Sequence, residues 1–155
     1  MDSAERDLVL QAGEEPKEAS LRNEEIDRDT AWEGKRRALE VIFKERRSPA
    51  RQRAFEQFRA TEGQGLEDFA FWCALREKYG DVFPKELKSP TTSEAELERV
   101  ALADRIDFYA WMQWIIDRQL AGAQRSAMEA GMPLGIFHDL AVGVLSYGAD
   151  TWSIP

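Results

Sequence analysis

From Trp32 to Leu120 the apolar side chains recur at three- and four-residue spacings, and that periodicity commits most of the chain to packed α-helices. Trp32, Leu39, Ile42 and Phe43 mark one helix face, with Arg36, Arg37, Glu40 and Lys44 lying mostly between them. Asp29 or Thr30 is expected to cap this helix, with Glu33 three residues after Thr30 in a capping-box arrangement. Ser48-Pro49 ends it, because proline disfavours the helical conformation of the residue before it. A shorter helix is expected over residues 49–61, with Phe55 and Phe58 on one side and Gly63 and Gly65 as punctuation.

Next come two adjacent stripes, Leu66, Phe69, Ala70 and Cys73, then Trp72, Leu75 and Tyr79. A helix apolar over so much of its circumference packs against several neighbours. Gly80 is a C-cap, and Pro84 and Pro90 bracket a loop. Thr92 or Ser93 opens a helical stretch through Leu97, Val100 and Ala101. Asp104 with Asp107 restarts it, and Phe108, Trp111, Ile115 and Leu120 mark a long buried face that terminates at Gly131. The expected core is Trp32, Phe43, Phe58, Trp72, Leu75, Phe108, Trp111 and Ile115.

One segment departs from this pattern. Residues 134–144, Leu-Gly-Ile-Phe-His-Asp-Leu-Ala-Val-Gly-Val, are continuously apolar apart from His138 and Asp139, and glycines flank them. Such a run suits a strand buried on both faces of a parallel sheet. A parallel strand needs partners, and no other segment reads as a strand. The expected fold class is therefore mainly α, a helical subdomain with one β-strand segment of a truncated β/α barrel. At 155 residues the chain is too short for a complete eight-fold barrel, which takes about 250.

Charge divides the chain further. Residues 1–30 hold ten acids, four bases and no aromatic ring, a composition too polar to offset ordering entropy. The domain organisation read from this is a mobile acidic segment over 1–30, a helical subdomain over 31–131, and a strand with its following loop over 132–155. A net charge of −8 argues against binding along a nucleic-acid backbone. A single cysteine allows no internal disulfide. Neither a signal peptide nor an apolar run long enough for a membrane span is present in the sequence, so a cytoplasmic protein without membrane partners is expected.

Five groups of residues, in order, carry a family resemblance. They are Phe71-Trp72-Cys73-Ala74-Leu75, Phe108-Tyr109-Ala110-Trp111-Met112-Gln113-Trp114, Asp117-Arg118-Gln119-Leu120, Asp139-Leu140-Ala141-Val142-Gly143-Val144 and Gly148-Ala149-Asp150-Thr151-Trp152. Together they closely resemble the amylomaltases, bacterial 4-α-glucanotransferases of the α-amylase clan. Arg22-Asn23-Glu24-Glu25-Ile26-Asp27 and Ala31-Trp32-Glu33-Gly34-Lys35-Arg36 extend the likeness back to about Leu21.

The resemblance implies a β/α barrel with helical insertions, and retaining transfer of α-1,4-glucan segments between oligosaccharides without a catalytic metal or other cofactor. An aspartate holds the glycosyl fragment, a glutamate serves as acid then base, and a second aspartate steadies the transition state. In a retaining enzyme the nucleophilic and acid–base carboxyls stand about 5–5.5 Å apart. In the family these carboxylates follow later strands, and no segment here matches them. Arg105-Ile106-Asp107 imitates the nucleophile motif but falls at a helix start. The chain thus reads as a fragment without catalytic residues, inactive alone.

Two residues are assigned to substrate binding. Asp139 would sit at the outgoing end of the expected strand, where barrels place their chemistry, and the resemblance makes it an organiser of the sugar subsite. Trp152 follows with access to a sugar. His138, by alternation, would point away from Asp139, and a lone histidine lacks the companions a metal needs. Trp111, Trp114 and Cys73 read as core, Gln113 and Gln119 as polar partners between helices, and Glu94, Glu96 and Glu98 as a solvated helix start.

The expected partners are α-1,4-glucans in the intact enzyme and the missing barrel portion of the same polypeptide. In isolation, the apolar 134–144 segment is expected to drive self-association into a homo-oligomer, or to be disordered after about Pro133. The alternative is a non-catalytic helical module that binds glucan or protein; a third reading supplies the barrel half as a separate polypeptide.

Overall fold

The computed structural model describes residues 3–22, 27–139 and 142–154. In chain order the helices are α1 (Ser3–Arg22), α2 (Arg28–Lys44), α3 (Pro49–Tyr79), α4 (Ser93–Ala101), α5 (Ala103–Glu129) and the single turn α6 (Ala149–Ser153). A 3-10 turn covers Lys85–Leu87. They divide into two units, Met1–Arg51 and Gln52–Pro155.

The first unit is an antiparallel pairing of α1 with α2. It rests on Gly34, the buried residue of α2. A Cβ there would stand 2.2 Å from the Pro16 ring and 2.8 Å from the Ala12 carbonyl, so only glycine lets the helices approach this closely. Within the acidic N-terminal segment, Ser3–Arg22 form the helix α1. Asp27 caps α2, its carboxylate accepting from the Thr30 amide at 2.9 Å and the Thr30 hydroxyl at 2.7 Å. These bonds hold the Asp27 carboxyl below its ordinary value of 3.8. The helix starts earlier than the expected caps Asp29 and Thr30, because the Asp27 side chain reaches the free amides of the first turn. Trp32, expected in the core, is 45% exposed.

The second unit packs α3 and α5 through their aromatic faces. Phe55, Leu66, Ala70, Phe71, Ala74 and Leu75 of α3 are buried. So are Ile106, Phe108, Tyr109, Ala110, Trp111 and Trp114 of α5. Phe55 meets Trp114 with ring centroids 5.7 Å apart, and Phe108 stacks on Trp111 at 6.2 Å. Gly63, at φ +61°, bends α3 between the two stretches read as separate helices. Thr92 caps α4 as expected, accepting from the Ala95 amide at 3.1 Å. Gly131, at φ +91°, follows the end of α5.

Ion pairs tie α3 to the later helices. Arg59 donates to Glu67 and to Asp107, Arg105 to Glu77, and Arg99 to Asp68. Lys78 and Tyr79 both donate to Glu98, which holds that carboxyl below its ordinary value, chiefly through the lysine. Glu98 is therefore a tether, whereas Glu94 and Glu96 stay in the exposed first turn. Arg105-Ile106-Asp107 lies near the start of α5, and both charged residues serve these bridges.

The expected strand is corrected. Among the described residues there is no strand, and 134–139 and 142–145 are irregular. Phe137 is 88% and Val142 fully exposed; Leu140 and Ala141 lie outside the described residues. A lone extended segment has no neighbour to complete its backbone ladder or cover its apolar faces, so composition alone does not make it a strand. Instead the Gln124 side chain holds its beginning: Nε2 donates to the Leu134 carbonyl at 3.2 Å, and the Ile136 amide donates to Oε1 at 2.7 Å. Gly135, at φ +68°, faces that amide with no room for a side chain.

Burial pushes the Cys73 thiol up to about 12. At pH 8 it is expected to resist a disulfide-exchange reagent such as DTNB, with labelling appearing only as urea unfolds the chain. Rapid labelling of the folded chain would contradict that burial.

Candidate functional site

Trp152, the second of the two residues expected to bind substrate, is set by local chain geometry. The Thr151 hydroxyl donates to the Leu145 and Gly148 carbonyls at 2.9 and 3.1 Å, closing the turn that starts α6. This orients Trp152 inward. It is only 7% exposed, and its indole N–H donates to the Leu87 carbonyl at 2.7 Å. The bond supplies the partner that a buried indole needs.

Around Trp152 the aromatic rings are arranged edge to face. Phe71 lies 5.6 Å away and Phe83 6.2 Å, the latter at 89°. Phe83 in turn contacts Trp72 at 6.4 Å. Arg76 places its guanidinium 5.4 Å from the Trp72 ring centroid and pairs with Asp81, which lines the same cavity as these rings.

Trp72, Phe83 and Trp152 form apolar walls of a cavity of about 610 Å³. Lys88, Ser146 and Tyr147 contribute polar groups to the same lining. Its size falls in the ordinary range for small-molecule sites, roughly 300–1,000 Å³, and so does its pairing of apolar walls with a few polar groups. Such a surface can take a flat, hydroxylated ligand, with ring faces against its apolar side and donors and acceptors at the rim.

Trp72 carries an unusual group. The Trp72 indole nitrogen is closed off from solvent and has no hydrogen-bond acceptor. Nearly all buried donors in native proteins are paired, so an orphan of this kind calls for a reason.

Asp139 lies elsewhere. It is exposed in the irregular segment and is not part of the cavity lining. The two residues expected to bind substrate are thus not brought to one site among the described residues. His138 is exposed as well. Trp111 and Trp114 are each 3% exposed and serve the core. No three His, Cys, Asp or Glu side chains converge on a shared point among the described residues. No described helix is long and apolar enough to cross a membrane.

Sequence reading missed Phe83, Lys88 and Tyr147. The signals were faint: an aromatic residue before Pro84, a lysine after the next short turn, and a tyrosine before Gly148. Each falls in a loop, where periodicity says nothing about facing.

Comparison with known proteins places this arrangement in a family. The model of one family, described as 4-alpha-glucanotransferase, matches residues 3–155. The chain is similar to a 4-alpha-glucanotransferase of Mycobacterium tuberculosis, 49% identical over 132 residues, which is 83% of this chain and 18% of that protein. A 4-alpha-glucanotransferase of Thermus thermophilus is 32% identical over 117 residues, covering 73% of this chain and 23% of that protein. The chain spans about a fifth of the length of these curated relatives. With the match running through both helical units and the cavity, the chain belongs to the 4-alpha-glucanotransferase family.

Proposed function

We propose that this chain supplies a helical, substrate-contacting portion of a 4-alpha-glucanotransferase that moves α-1,4-glucan segments between oligosaccharides with retention of configuration. The observation that carries this is the family match over residues 3–155, which includes both Asp139 and Trp152. In this reading the nucleophile and the acid–base carboxyl belong to other parts of the enzyme, and these residues bind and orient the glucan. Asp139 is exposed and uncommitted to the core, so it can be positioned when the remaining polypeptide covers the segment around it. Trp152 contributes to the wall of the cavity, with its N–H held by Leu87.

The exposed apolar residues Leu134, Phe137, Val142 and Val144 supply the surface for the barrel portion of the enzyme. In its absence they favour association between copies. The acidic balance of the chain fits an uncharged substrate in the cytoplasm better than a polyanion.

A chimera tests the reading. The matching segment of the M. tuberculosis relative is replaced by the aligned residues of this chain, and glucose release from maltotriose is followed. The chimera is expected to retain disproportionation, while the 155-residue chain alone shows none. Asp139→Asn in the chimera is expected to lower kcat about a hundredfold, the scale of losing one charged group at a transition state. A folded chimera without activity overturns the proposal and favours a non-catalytic binding module.

A further inference from the structure

We propose that the Trp72–Phe83–Tyr147–Trp152 cavity is an α-1,4-glucan subsite carried by the helical unit itself, with Trp72 as its specificity-determining residue. This rests on the glucanotransferase reading for the identity of the sugar. The cavity makes a separate claim, that glucan is held here without Asp139 and without the carboxylates of bond cleavage.

The lining supplies two complementary kinds of contact. Trp72, Phe83 and Trp152 offer ring surface for the apolar faces of glucose units, and the edge-to-face packing of Phe83 against Trp152 holds them in place. Their wall residues come from α3, the loop after it and α6, so the site is assembled by the fold rather than by one flexible loop. Lys88, Ser146 and Tyr147 line the same cavity with polar groups suited to sugar hydroxyls. The Thr151 hydroxyl is spent on backbone carbonyls, whereas Asp81, although paired with Arg76 through one oxygen, keeps acceptor capacity at the exposed rim and joins those three.

Trp72 matters most because its N–H is buried without an acceptor. An unpaired buried donor destabilises the folded chain. A glucan hydroxyl that comes to accept from this N–H gives it its partner, so the penalty present in the free chain is relieved in the complex. That yields opposite signs for one substitution. Trp72→Phe keeps a ring and removes the donor, so it is expected to leave the melting temperature unchanged or higher while weakening glucan binding about five- to tenfold. A purely structural tryptophan would not separate the two readouts.

The experiment follows the tryptophan indole N–H resonances of the 15N-labelled 155-residue chain during titration with maltotetraose. The Trp72 and Trp152 signals are expected to shift saturably with Kd of about 1 mM, with little change at Trp114. Tyr147→Ala, at an exposed position, should weaken binding without unfolding the chain. The absence of a saturable shift up to about 50 mM, fifty times that Kd, overturns the subsite. So does an equal response to β-linked cellotetraose. An active chimera alongside no shift overturns the subsite and leaves the transferase reading standing. A saturable maltotetraose shift alongside an inactive, folded chimera supports the subsite while rejecting the transferase reading.

Discussion

Replacing Phe71 by alanine is expected to destabilise the 52–155 unit by about 3–5 kcal/mol, the range for truncating a fully buried phenylalanine. Phe71 has no exposed surface. Its ring meets Trp152 at 5.6 Å on one side, and the Arg99 guanidinium lies 4.4 Å from its centroid. Truncation therefore removes dispersion contacts, an aromatic pair and a cation–π contact together. The space left cannot be refilled by simple collapse, because Arg99 is tied to Asp68 and Trp152 to Leu87. A domain stability of roughly 5–15 kcal/mol makes such a loss a large fraction of the total. Urea unfolding followed by tryptophan fluorescence measures it. Val82→Ala, at an 81% exposed site, should stay within about 0.5 kcal/mol. A loss below about 1 kcal/mol for Phe71→Ala would mean that this ring does not anchor α6 to α3.

The features legible in the sequence are those written within a few residues. The long helices follow from spacing, the Thr92 cap from its side chain, and the α5 terminus from Gly131. Burial of Leu75, Phe108 and Trp111 follows because their helices carry broad apolar faces. Trp32 was misread for a physical reason. Its stripe fits a helix face, but α2 makes its closest approach through Gly34 against Pro16, and a glycine contributes nothing to an apolar stripe. Residues 134–144 were misread because composition reports a preference for burial, whereas a strand exists only where another strand completes its ladder. The cavity was out of reach for a third reason. Trp72, Phe83, Lys88 and Trp152 are brought together across as many as eighty positions, by loops whose facing has no period. Trp152 was found through a motif, but its commitment to Leu87 is a long-range bond that no local pattern encodes.

The Arg99–Asp68 pair is expected to show the second large effect. Asp68 is only 8% exposed, and its carboxylate accepts from Arg99 and, at 2.9 Å, from Gln64. Arg99 also covers Phe71. Arg99→Met keeps much of the aliphatic volume but strands a buried carboxylate with one neutral donor. Breaking a buried pair from one side costs about 3–5 kcal/mol, and the residual exposure of Arg99, 19% of its side chain, brings the expectation to about 2–4 kcal/mol. Adding Asp68→Leu removes the stranded charge, so the double variant should be more stable than Arg99→Met alone, with a coupling of about 1–3 kcal/mol in a double-mutant cycle. Lys78→Met provides the contrast. Its partner Glu98 is also a carboxylate, but the lysine side chain is 41% exposed, and solvent-screened pairs contribute little. The two bridges both run from α3 to α4, so the difference between them isolates burial from connectivity. If Arg99→Met and Lys78→Met cost the same, burial of Asp68 is not what makes its bridge count, and the Phe71 ring rather than the ion pair fixes α4 on α3.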